Sequence, residues 1–192
     1  MKIYKNLVAV HKKVISPSLC KKTIKFFEDN PDFDSNIAVD EGGVIEKEIR
    51  NSKEIILYWA DPKYKEIGEE LNSKIRPLVD DYFKEFSELF TYAGNTTYED
   101  AHLLKYKPNE GFYNFHWDTG GKNIDNRLLS IIIYLNDVKE GGETEFKYID
   151  VDPIKPSKGD VVLFPSGVTH MHKGNMPISN NKYICVFWLI AL

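Results

Sequence analysis

From residue 98 onward the chain reads as short apolar segments cut by turn residues, and this pattern restricts its fold more than any other feature. Pro108-Asn109-Glu110-Gly111, Thr119-Gly120-Gly121, Asn136-Asp137, Gly141-Gly142 and Gly159-Asp160 are turn signals. Between them the pattern predicts strands over residues 101–107, 112–118, 127–135, 143–148, 151–154, 161–164, 168–173 and 183–190. Leu128-Leu129-Ser130-Ile131-Ile132-Ile133-Tyr134 is almost continuously apolar, as expected of a strand buried on both faces. Many short strands at this spacing argue a sandwich, a jelly roll or a barrel.

The first 97 residues follow a different grammar. Residues 3–15 alternate loosely and predict an opening strand. Ser16-Pro17 is an N-cap followed by proline at the first helical position, and Leu19, Ile24, Phe26 and Phe27 give a helical stripe that Asn30-Pro31 ends. Residues 31–54 are polar and rich in acids, among them Asp40 and Glu41. They predict a surface loop with one short strand, either a plain solvated connection or a cover over a substrate. Asp61-Pro62 opens the longest helical pattern, with Tyr64, Ile67, Leu71, Ile75, Leu78, Val79, Tyr82 and Phe86 at spacings of three and four. Pro77 inside it should kink or divide the helix. The expected architecture is mainly β with N-terminal helices (α+β). Residues 1–97 form a helical support region integrated with a β core of residues 98–192, in one structural domain.

Composition narrows the function. The formal charge of −4 gives no general basic surface, which argues against a nucleic-acid partner. No apolar run approaches about 18 residues, so no transmembrane helix is expected. Residues 1–14 carry Lys2, Lys5, Lys12 and Lys13 and lack the apolar core of a signal peptide. Cys20 and Cys185 lie in apolar contexts without metal-type spacing, which suits a reducing, cytoplasmic setting.

Phe115-His116-Trp117-Asp118 carries the chemistry. On a strand, residues two apart point the same way, so the His116 imidazole and the Asp118 carboxylate should converge on one face. A second imidazole from a distant strand would give two histidines and one carboxylate, the set that holds Fe(II) in non-haem oxygenases. His172 is the candidate. His170 shares its two-residue spacing, and three of the five histidines fall in these two short segments. In a rival reading His170 and His172 both bind metal, with Glu143 or Glu145, in a cupin-like module that oxidises nothing. A non-catalytic β-sandwich interaction domain is a third. An oxygenase using 2-oxoglutarate also needs a buried cation for the far carboxylate of that co-substrate, because an unpaired buried charge is costly. Lys182, opening the apolar run Lys182-Tyr183-Ile184-Cys185-Val186-Phe187-Trp188, is the best candidate, and Tyr106 could add a phenolic hydrogen bond.

Taken in order, Leu103-Leu104-Lys105-Tyr106, Gly111, His116-Trp117-Asp118, Arg127, Tyr134-Leu135-Asn136-Asp137, Gly141-Gly142-Glu143-Thr144-Glu145-Phe146, Pro156-Ser157-Lys158-Gly159-Asp160, Phe164-Pro165, His172-Lys173-Gly174, Pro177, Lys182-Tyr183 and Trp188 resemble the prolyl 4-hydroxylases and their small bacterial and phage relatives. These are 2-oxoglutarate- and Fe(II)-dependent dioxygenases. The resemblance covers about residues 98–190. It implies a jelly roll, or double-stranded β-helix, flanked by a helical layer, with iron held by His116, Asp118 and His172. His172-Lys173-Gly174 with Pro177 fits the family's distal-ligand motif, whereas His170 does not. Lys182 stands ten residues beyond that ligand and Tyr106 ten before the first, the family's positions for 2-oxoglutarate contacts. Asn181 departs from the glycine usual before the lysine, and asparagine tolerates the same left-handed backbone. The implied reaction consumes O2 and 2-oxoglutarate, with ascorbate as supporting reductant. Its default substrate is a proline-containing peptide or protein, with free amino acids or other side chains as alternatives. No catalytic residue is expected beyond the metal and co-substrate ligands. Phe112, Tyr113, Phe115 and Trp117 should flank the mouth of the site.

Overall fold

A computed structural model describes the chain except for Met1, Asn36, Asp40, Glu41, Tyr92, Ala93 and residues 121–123. Two antiparallel sheets lie face to face. In the larger, Lys2–Lys5, Val8–His11, Val161–Pro165, Arg127–Tyr134, Lys182–Ala191, Ala101–Tyr106, Lys53–Leu57 and Phe33–Asp34 follow in hydrogen-bonded order, and Thr96–Tyr98 pairs with the end of Lys182–Ala191. The smaller sheet runs Thr144–Phe146, His172–Gly174, Phe112–His116, Arg50–Asn51. Ile37–Val39 and Gly42–Val44 make a separate hairpin. This is a mainly β jelly roll, a double-stranded β-helix with helices against one side.

The pleat explains why the central strands are apolar throughout. Leu129, Ile131 and Ile133 point outward with Leu103, Leu163, Cys185, Phe187 and Leu189, into the core shared with the helices. Ile132 and Tyr134 point inward with Leu104, Val162, Phe164, Ile184, Val186 and Trp188, toward Phe146 of the smaller sheet. The outward core is closed by α1, Pro17–Asp29, and α2, Pro62–Glu85. Ser16 caps α1 by accepting the Leu19 N–H at 3.2 Å, and Asp61 caps α2 by accepting the Lys63 N–H at 2.9 Å. The α2 face buries Ile67, Leu71, Ile75, Val79 and Tyr82. A short α3, Ser87–Phe90, follows.

Several expectations change. The opening strand is a hairpin, turned by Asn6 and Leu7 at φ 49° and 63°. Tyr82 pins that turn, donating to the Leu7 carbonyl at 2.6 Å. Pro77 does not divide α2. It and Ser73, whose carbonyl loses the bond Pro77 cannot donate, are both exposed, so water can satisfy that carbonyl. The polar stretch 31–54, read as a loop with one short strand, supplies strands to both sheets as well as the hairpin. Polarity misled there because these strands are short or lie at sheet edges, where one side stays wet. Asp40 and Glu41 of that stretch, and Gly121 of the turn after Asp118, lie outside the described residues. Residues 151–154 keep only a bridge from Ile154 to Thr144. Residues 168–173 divide into a 3-10 turn, Val168–His170, and the strand His172–Gly174. Among the described residues no helix is long and apolar enough to cross a membrane.

Leu71 is fully buried at the contact of α2 with the sheet. Leu71→Ala should lower the unfolding free energy by about 2–5 kcal/mol, read from the midpoint of a denaturant titration.

Candidate metal centre

His116 ends one strand of the smaller sheet and His172 begins its antiparallel neighbour, and the two are register partners. Their rings stand 4.3 Å apart. The sequence expectation put Asp118 on the same strand face as His116, but the strand stops at His116. Asp118 is instead brought in by its surroundings. Its N–H donates to the Ser166 carbonyl at 3.0 Å, Arg127 Nη1 donates to its carbonyl at 2.9 Å, and the Ser130 hydroxyl donates to Oδ2 at 2.5 Å. Asp118 Oδ1 then lies 3.4 Å from His116 Nε2, and Oδ2 lies 3.8 Å from His172 Nε2. One ligand atom from each of the three residues falls within 4.8 Å of the others.

The backbone fixes the tautomers. His116 Nδ1 pairs with the Asn114 carbonyl at 2.7 Å, and His172 Nδ1 with the His170 carbonyl at 3.0 Å. A carbonyl only accepts, so each Nδ1 carries the hydrogen and each Nε2 presents a lone pair. Two lone pairs and a carboxylate facing one another have no proton to share. That donor set fits a divalent cation. Burial alone would raise the Asp118 carboxyl, yet His172, His116 and the Ser130 hydroxyl hold it well below the usual carboxylate range. Burial and the neighbouring His116 push His172 down to about 4, a neutral ligand at physiological pH.

Lys182 and Tyr106 are register partners on the inner face of the larger sheet. Lys182 is 2% exposed, with Nζ 5.3 Å from the Tyr106 ring and 5.9 Å from the Tyr134 ring. A Cβ on Gly174 would lie 3.7 Å from Nζ, so the ammonium reaches the strand that carries His172. Among the described residues no carboxylate or other acceptor bonds to it. Burial pulls it down to about 8 despite the opposing pull of Glu143. A buried cation without an anion of its own fits the far carboxylate of a 2-oxo acid.

Known proteins of similar sequence and fold bear on this geometry. Residues 101–190 match the model of the 2OG-Fe(II) oxygenase superfamily. Among curated proteins the chain is similar to probable prolyl 4-hydroxylase 9 of Arabidopsis thaliana, 30% identical over 47% of this chain and 40% of that one. Prolyl 4-hydroxylase 13 of the same plant is 27% identical over 48% and 43%. The matched stretch thus spans under half of those relatives. Among solved structures, the viral collagen prolyl hydroxylase vCPH of Paramecium Bursaria Chlorella virus-1, in its 2OG complex, superposes with TM-score 0.71 over 97% of both chains at 21% identity. A Trichoplax adhaerens prolyl hydroxylase in complex with a hypoxia inducible factor peptide gives 0.75 over 97% and 84% at 17%. Residues 101–190 are thus similar to the 2OG-Fe(II) oxygenase superfamily, and the relatives matched are prolyl 4-hydroxylases.

The matched stretch contains all five residues singled out from sequence, and the fold brings His116, Asp118 and His172 to one point, with Lys182 and Tyr106 on the facing sheet. His170 is elsewhere. It sits in the 3-10 turn with Nε2 on the Asn6 carbonyl at 3.0 Å, and Glu145 pairs with Lys173 at 3.0 Å. A site built on His170 with either glutamate therefore finds no support in the geometry. Sequence reasoning missed Arg50, which reaches in from outside residues 101–190. Its guanidinium lies 4.8 Å over the Tyr113 ring and hydrogen-bonds the Tyr106 hydroxyl, and Tyr113 stacks on His116 at 3.4 Å. It also missed Ser130, a lone hydroxyl in an apolar strand. That interruption was the available signal.

The pH dependence follows from His172. An unfolded imidazole takes its proton near pH 6.5, whereas folded His172 refuses until about 4. The unfolded state binds more protons in that window, so metal-free protein should lose stability as pH falls from 6.5 to 4, by about 1.4 kcal/mol per unit. Denaturant titrations across that window check this, and His172→Gln should flatten the profile.

Proposed function

We propose that this protein is a 2-oxoglutarate- and Fe(II)-dependent dioxygenase that hydroxylates a proline of a peptide or protein and releases succinate and CO2. The observation that carries this reading is the pairing of two features across the sheets. Two lone-pair imidazoles and a carboxylate converge on one side, and an anionless buried ammonium waits on the other. His116, Asp118 and His172 would hold the ferrous ion. That ion, when bound, supplies the redox chemistry by which one oxygen atom of O2 enters a C–H bond and the other enters succinate. Ascorbate would serve as supporting reductant.

The chain's own residues do the placing. Ser130 donates to Asp118 Oδ2, so that oxygen keeps a fixed partner and the carboxylate cannot rotate freely. The two Nδ1–H bonds lock the imidazole rings. Lys182 would take the far carboxylate of 2-oxoglutarate by a charge-assisted bond, with Tyr106 beside it. The inner apolar face, Leu104, Ile132, Ile184 and Val186, excludes water around that ion pair and strengthens it. A peptide substrate is supported by the Trichoplax adhaerens relative of like fold, which is a prolyl hydroxylase seen with a peptide.

Incubation with Fe(II), 2-oxoglutarate, O2 and proline-containing peptides should give succinate and a product heavier by one oxygen atom, located on proline by mass spectrometry. Succinate without peptide oxidation across the panel would sink the substrate assignment. Lys182→Ala should raise the KM for 2-oxoglutarate by about 100-fold, the loss of about 3 kcal/mol of charge-assisted binding. The charged ammonium is needed, and it titrates at about 8. Co-substrate affinity of the wild type should therefore weaken about tenfold per pH unit above that point.

A further inference from the structure

A second ionisable cluster lies between the sheets, apart from the three metal-site residues. His102 is register partner to Val186 on one side and Ile56 on the other. Strand alternation puts it with Leu104 and Tyr106 on the inner face, which is otherwise apolar there. Its Nδ1 is hydrogen-bonded to Glu54 Oε1. Glu54 is 1% exposed and lies 3.6 Å from Arg50 Nη2. Burial would raise the Glu54 carboxyl, but the His102 bond and the Arg50 charge outweigh it and hold the group ionised. An ionised carboxylate accepts, so Nδ1 carries a hydrogen, and in the neutral ring Nε2 is then an acceptor. Among the described residues Nε2 has no hydrogen-bond partner, and the side chain is 21% exposed.

The neighbours of this imidazole lie toward Asp118 and away from Lys182. Its ring stands edge-on to Trp188 at 4.9 Å, and the indole N–H of Trp188 is likewise buried without a partner. The Arg127 guanidinium covers the Trp188 ring at 3.8 Å and donates to the Asp118 carbonyl. The Trp188–His102 corner is thus one guanidinium's span from the Asp118 backbone. Lys182 and Tyr106 stand at the other end of the same two strands. Charge balance does not require the imidazole, since Arg50 already faces Glu54.

We propose that His102 is a substrate-binding residue whose Nε2 accepts an N–H from the peptide lying along Trp188, with Glu54 as the positioning residue that fixes the tautomer. This rests on the peptide-hydroxylase reading above. Proline itself has no amide N–H, so an acceptor here reads the amide of a neighbouring residue. The enzyme then favours proline flanked by other residues over an unbroken proline run.

The test compares an alternating alanine–proline peptide with poly-L-proline of the same length, by succinate formation with the Fe(II)- and 2-oxoglutarate-loaded enzyme. Wild type should show the lower KM for the alternating peptide. His102→Ala should raise that KM about tenfold relative to the KM for poly-L-proline, with the KM for 2-oxoglutarate unmoved, as expected for one lost hydrogen bond. Glu54→Gln should lose part of the same preference. The ratio of two KM values within one variant does not depend on how much enzyme is folded, and His102→Gln, which keeps an acceptor oxygen, should restore part of it. An unchanged ratio in His102→Ala overturns the assignment, as does a parallel rise in the KM for 2-oxoglutarate. Wild type that consumes 2-oxoglutarate but oxidises neither peptide overturns the peptide-hydroxylase reading instead, and this assignment with it.

Discussion

Burying charge between two apolar sheets is the constraint on which the rest of this structure depends. Asp118 is 8% exposed and ionised, and an isolated carboxylate at that depth would be untenable. Two imidazoles and the Ser130 hydroxyl surround it. On the facing sheet Lys182 is buried more deeply, and among the described residues no carboxylate bonds to it. The first arrangement suits a bound cation, and the second suits a bound anion.

Holding those groups in place requires rigid faces. Phe146 and Phe164 pack edge to face at 5.1 Å, and Phe164 lies 4.7 Å from the His172 ring, so the distal imidazole is wedged by aromatic contacts from both sheets. Behind the larger sheet, α1 and α2 fill the outward core and leave the inward face free to carry polar groups. The segment from Arg50 to Leu57 joins both sheets. It delivers Arg50 to Tyr106 and Tyr113, and Glu54 to His102, from outside the matched 101–190 stretch. The N-terminal region therefore contributes to the site as well as supporting it.

Much of this was legible along the chain because its signals are local. Ser16 and Asp61 cap their helices as their side chains dictate, and the apolar strands from residue 101 onward pair as their patterns allow. Where local signals conflict with tertiary context, they failed. Pro77 sits in an unbroken helix because it faces water, and His170 leaves the strand period because its ring is drawn to the Asn6 carbonyl. Polar residues 31–54 form strands because neighbouring edges, absent from any local window, satisfy their backbone.

The sequence by itself determined which ionisable side chains are available and how they are spaced along the chain, since residue type and spacing are fixed covalently. Tertiary structure alone decided that Asp118, two residues past its strand, meets His116 through Ser130 and Ser166, that Arg50 and Glu54 reach the same region, and that among the described residues no carboxylate bonds to Lys182. Those facts depend on contacts between residues tens of positions apart. Only the packing of one sheet against the other brings such groups within hydrogen-bonding range.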